Sequence, residues 1–254
     1  MTAAARYARG RMNPTGLVIL EHLRTVDAER TARSRDPVLA ERVTAVKTYQ
    51  QVRFAHTYAD LLNDSRHASA ARFFLNELYG PHDFAQRDTQ FARIVPALVR
   101  LFPEEIVQTV AALAALHALS EVLDGAMGRH TTTLPLSRVA YVAAWQHTGR
   151  SADRDRQIEL TLDVGRALDR YTRNPVLRHS LRLMRAPSRA AGLAELQSFL
   201  ERGFETFGAM RGAHRFLAMI SERERALAKR LFEFDPVAQQ TVGADPTDPL
   251  VQLP

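Results

Sequence analysis

Three titratable residues fall on one line of an otherwise apolar stretch: His117, Glu121 and Asp124, at i, i+4 and i+7. On a helix these positions stand one above another, so a single stripe presents an imidazole and two carboxylates. Such a stripe could bind a metal, or hold a histidine as general base steered by an acid. The plainer reading is preferred here: His117 closes a buried stretch, and both acids pair with neighbouring arginines. A second carboxylate, Glu77, follows Phe73 and Phe74 and is expected to be partly buried, which requires a partner. Arg87, Asp88 and Arg93 in the next segment could supply one, and a Glu–Arg bridge fixing the turn at Gly80-Pro81 is the favoured reading. His214 lies in FGAMRGAHRFLAMI, where Gly208 and Gly212 would admit another backbone or a flat ligand.

The chemistry these residues could share is narrowed by what the chain lacks. It has no cysteine, which removes disulfides, thiolate nucleophiles and iron–sulfur clusters. It has no Glu-x-x-His tetrad of the di-iron bundles and no His-Glu-x-x-His. Phosphate-binding loops of the G-x-x-x-x-G-K-[ST] and G-x-G-x-x-G types and the G-x-S-x-G elbow are missing too. A metal would have to be assembled from distant residues, and haem would need His117 or His214 as its axial ligand. No cofactor is therefore assigned, with haem and metal as minor alternatives.

The elements that must position these residues are helices. Asn13-Pro14, Asp36-Pro37 and Asn174-Pro175 each set a capping side chain before a proline at the first helical position. Phe102-Pro103-Glu104-Glu105 adds acids that oppose the helix dipole. Behind these starts, apolar residues recur every three to four positions, as at Leu39, Val43 and Val46. Helices are predicted over 14–32, 36–63, 66–80, 83–102, 103–128, 136–148, 152–172, 174–185, 188–202 and 204–234, with Pro96 expected to kink or split the fourth. The expected fold is all-α, a compact bundle of about ten helices without a β-sheet. Residues 13–234 form one domain with a break, if any, at 128–135. Residues 1–12 read as a flexible basic arm, and 235–254, with three Asp-Pro pairs and no base, as an extended tail.

The run from Phe73 to Asp124, opening with FFLNELYG, resembles a bacterial family with an FFLEELY signature, Asn76 standing where the signature has glutamate. The resemblance implies a bacterial helical protein and carries no activity with it.

The net charge is +6, with all bases but Lys47 and Lys229 being arginine. Because the bases are interleaved with acids along the whole chain, they read as exposed ion-pair faces, and nucleic acid is disfavoured as a partner. The most apolar run, from Thr109 to Leu119, is short of the roughly twenty residues a membrane helix needs, and no signal peptide is recognisable, so a soluble cytoplasmic protein is expected. The leading functional reading is a non-enzymatic module binding a protein or a small ligand, with a homodimer compatible. The alternative is an enzyme, or a haem- or metal-binding protein, with an inter-helix pocket around Glu77, His117 and Glu121. The leading reading fails if the structure shows an enclosed polar pocket in which several titratable residues converge.

Overall fold

A computed structural model describes residues 13–77, 80–82, 84–235 and 248–254. Twelve α-helices follow one another, with no strand among the described residues: α1 Pro14–Arg35, α2 Pro37–Thr57, α3 Ala59–Asn63, α4 Ala68–Glu77, α5 Ala85–Leu101, α6 Glu104–His130, α7 Arg138–Thr148, α8 Ser151–Thr172, α9 Pro175–Leu183, α10 Arg185–Ala190, α11 Ala194–Ala209 and α12 His214–Glu233. A short 3-10 turn, Pro249–Gln252, closes the chain.

Local chemistry accounts for the starts. The Asn13 side chain accepts from the Thr15 amide at 2.7 Å, Asp36 from Leu39 at 3.0 Å and Asn174 from Val176 at 2.9 Å, each satisfying an amide that the first turn leaves without a partner. The helix predicted over 36–63 breaks at Tyr58, whose backbone leaves the helical region as its ring is fully buried and its hydroxyl donates to Glu224 at 2.8 Å. The boundary predicted beside Gly203 lies instead at 210–213, where Arg211 and Gly212 take φ of 52° and 125°. Gly203 serves packing within α11, because a Cβ there would stand 3.3 Å from the Phe73 ring. Pro96 does not split α5, which runs through it at a solvent-exposed position.

α6 is the central rod, packed against α1, α2, α7 and α8. Its 27 residues span about 40 Å. Taken over its whole length it is long and apolar enough to cross a bilayer, which corrects the expectation from its ten most apolar residues. Two apolar clusters flank it. The larger joins Val46, Phe54, Met127, Tyr141 and Phe216, so the segments before and after 128–135 share one core. Its aromatic centre stacks Tyr49 on Tyr141 at 4.4 Å and sets Phe74 edge-on to Phe216 at 5.5 Å. The smaller, with Ile19, Val95, Val107 and Ala114, lies between α1, α5 and the first half of α6.

Residues 1–12 and 236–247, the arm and most of the tail predicted from sequence, lie outside the described residues. The last seven residues are not extended as expected. Leu250 and Leu253 are buried in the larger core, and Arg138 donates to the Leu253 carbonyl at 2.9 Å. Two leucines that find an apolar seat outweigh the prolines' bias against helix.

Candidate functional site

Between the two clusters the helices do not close. A cavity of about 480 Å³ runs along α6, walled by α5, α8, α9 and α11, within the range of small-molecule sites. Its body is aliphatic and aromatic, with Phe91, Ile94, Leu98, Val110 and Leu113 on one side and Leu181, Leu196 and Phe204 on the other. The α6 residues His117, Ser120, Glu121 and Asp124 all line its polar end, as their spacing on one stripe requires.

Around that end three of the four acids meet cations from other helices. Asp88 of α5 accepts from Arg30 of α1 at 2.6 Å, and the same oxygen lies 2.8 Å from His117 Nε2. Glu121 is held by Lys47 of α2 at 2.5 Å and Arg33 of α1 at 2.7 Å. Glu77 pairs with Arg202 of α11 at 2.8 Å and stands 3.5 Å from Arg87. Asp124 makes no ion pair among the described residues and accepts instead from the Gln50 amide at 3.1 Å. Gln157 donates to Ser120 at 2.8 Å.

Arg87 differs from the other bases. Its guanidinium lies between the rings of Phe84 and Phe199, 3.9 and 4.4 Å from their centroids. Cation–π contact on both faces orients a planar group without using its N–H donors. Nη1 is buried and, although Glu77 is in ion-pair range, no hydrogen-bond acceptor among the described residues reaches it. A buried donor left in this way favours an acceptor brought from outside.

The surroundings divide the carboxyls. Burial pushes Asp88 up, but the His117 hydrogen bond and the Arg30 guanidinium outweigh it and hold the group below its ordinary value. Burial acts the same way on Glu121, and Lys47 and Arg33 again prevail, so it too stays ionised. For Asp124 burial wins, aided by the Glu121 charge and only partly opposed by Lys47, and its pKa is raised. Desolvation pulls Arg87 down against the attraction of Asp88 and Glu77, without bringing an arginine near neutrality at ordinary pH. Around this end five cations, Arg30, Arg33, Lys47, Arg87 and Arg202, meet four acids, one of them biased toward neutrality. Of the cations, Lys47 and Arg87 belong to the cavity lining itself.

Of the residues singled out from sequence, Glu77, Asp88, His117, Glu121 and Asp124 converge on the cavity. Arg93 does not; it donates to the Ala191 carbonyl at 3.1 Å from an exposed position on α5. His214 does not either, standing exposed at the first position of α12. Among the described residues no three His, Asp or Glu side chains group as a metal would need. Sequence reasoning missed Arg30, Arg33, Lys47, Gln50 and Arg202. Only Lys47 carried a signal, as one of two lysines in a chain that otherwise uses arginine.

A family described as a domain of unknown function, DUF8198, matches residues 29–238. The chain belongs to that family. The matched span holds the FFLNELYG run and every cavity-lining residue except Leu23. No curated protein and no solved structure matches the chain.

Proposed function

We propose that this protein binds an amphipathic acid between its helices, the apolar body in the cavity and the anionic head at the polar end. The carrying observation is one cavity with an oily length and a charged end, since an apolar ligand alone would leave the buried ions desolvated without return. Arg87 supports an anionic head: it is stacked in place and has an unused buried donor. The carboxylates of Glu77, Asp88 and Glu121 offset the mutual repulsion of the bases gathered there.

The test is competition against an environment-sensitive fluorescent fatty acid, using carboxylates, phosphates and alcohols of equal chain length. Acids and phosphates should displace the probe and alcohols should do so at least tenfold less well. Arg87→Ala should erase that preference while the fold, read by circular dichroism, stays intact. Equal displacement by all three head groups would refute the reading.

A second reading rests on the His117–Asp88 pair, 2.8 Å apart in the cavity wall. A histidine fixed by a carboxylate is the arrangement of a general base. On that reading His117→Gln would abolish turnover of a bound amphiphile while leaving its affinity within about twofold, the mark of an interaction made in the transition state only.

A further inference from the structure

The cavity opens where its lining is exposed: at Leu101 and Phe102, in the turn between α5 and α6, and at Met184, between α9 and α10. These three side chains are 69%, 47% and 50% exposed. Beside them α9 buries no residue at all, although Leu177 and Leu181 face the cavity, and it turns Val176 and Leu183 outward at 68% and 64% exposure. Residues 173–191 hold five arginines and no acid. Arg178 and Arg182 stand one turn apart on α9, and Arg185 and Arg189 one turn apart on α10, a short basic stripe on each helix. Arg185 is paired with Glu201, whereas Arg182 and Arg189 make no ion pair among the described residues. An exposed apolar edge flanked by a run of bases is the composition of a helix that lies in a membrane interface, where oily side chains enter the acyl boundary and arginines meet anionic head groups.

We propose that the face made by α9, α10 and the Leu101-Phe102 turn docks on an anionic lipid bilayer. Docking follows from this face alone. Passage of an amphiphile between bilayer and cavity, which open onto each other in this orientation, rests in addition on the binding reading above. Charge decides for the bilayer over a second copy of the chain, because two copies of this face would bring the arginine stripes together without an acid between them.

Flotation of the full-length chain with vesicles tests the docking. It should rise with phosphatidylcholine vesicles containing phosphatidylglycerol, rise little with phosphatidylcholine alone, and release in 1 M salt, where charges are screened beyond about 3 Å. Arg182→Ala with Arg189→Ala should weaken partition about thirtyfold, two basic contacts with the surface being lost. Val176→Ser with Leu183→Ser should weaken it at least tenfold even at low salt; both positions are exposed and outside the cavity lining, and circular dichroism checks the fold. Equal binding to neutral and anionic vesicles, or unchanged binding of both double variants, overturns the proposal. So does absence of vesicle binding, and self-association lost on Val176→Ser with Leu183→Ser would then give the face to a second copy. Ala97→Phe, which narrows the cavity, separates the two readings: it should float like the parent chain while failing to take up the fluorescent fatty acid. Normal flotation of the parent together with no probe uptake by it would remove the binding reading and leave the docking standing.

Discussion

Glu121→Gln tests the electrostatic frame of the cavity most directly. The side chain is 7% exposed and is contacted by Lys47 and Arg33, each 14% exposed. Amide replacement keeps the shape and removes the charge, leaving two buried cations without their counter-ion. Breaking a buried pair by removing one partner costs about 3–5 kcal/mol. At about 2–4 °C per kcal/mol for a chain of this size class, the melting temperature should fall by about 6–20 °C. Adding Lys47→Met removes one of the stranded cations, so the double variant should recover at least about 1 kcal/mol of the loss, a coupling expected of residues in contact. The pH dependence has a definite sign. Glu121 is held below its ordinary pKa, so its contribution is present above the unfolded-state value and is lost as pH falls through the folded one. The gap between parent and variant, measured by thermal unfolding at 222 nm, should therefore narrow steadily below about pH 4. A drop under about 1 kcal/mol at pH 7.5, or a gap that widens in acid, would show that the ion pair does not hold α1 and α2 to α6.

Asp124→Asn should act in the opposite sense. The raised pKa of Asp124 means its contribution is full below the unfolded-state value and is lost as pH rises through the folded one, so a neutral amide should raise the melting temperature at pH 7.5 and change it little at pH 4. Gly128→Ala should destabilise by about 1–3 kcal/mol in urea, because a Cβ there would lie 2.5 Å from Val43 Cγ2 and 3.3 Å from its backbone nitrogen where α2 crosses α6. Truncation after Asp248 should cost about 3–6 kcal/mol, the burial of Leu250 and Leu253, and a chain that melts unchanged without them would show that the terminal turn is not part of the core.

Helix starts were legible because a cap is a local device: Asn13, Asp36 and Asn174 reach amides two or three residues away. The α11–α12 boundary was not, because Gly203 is small for the sake of Phe73, 130 positions earlier, and nothing nearby in sequence announces that contact. The same division runs through the cavity. His117, Glu121 and Asp124 share a helix, so their common face followed from spacing alone. Their partners come from α1, α2 and α5, and which arginine meets which acid is decided by helix packing. Arg93 and Asp88 lie five residues apart on α5, about 140° around the helix, and only Asp88 turns to the cavity; the spacing fixed that difference, but not which of the two faced inward. Residues 248–254 show composition overruled: Leu250 and Leu253 are enough to seat the end of a proline-rich segment.

The composition of α6 also has a consequence while the chain is being made. As it leaves the ribosome this helix is, by length and composition, apolar enough to cross a bilayer, and its oily surface needs early cover against aggregation. Two of the helices that cover it, α1 and α2, precede it in the chain and already present Arg33 and Lys47 to its Glu121. Gene order thus shortens the interval in which the most apolar rod of the molecule stands exposed, and moving α1 to the C-terminus by circular permutation would lengthen it.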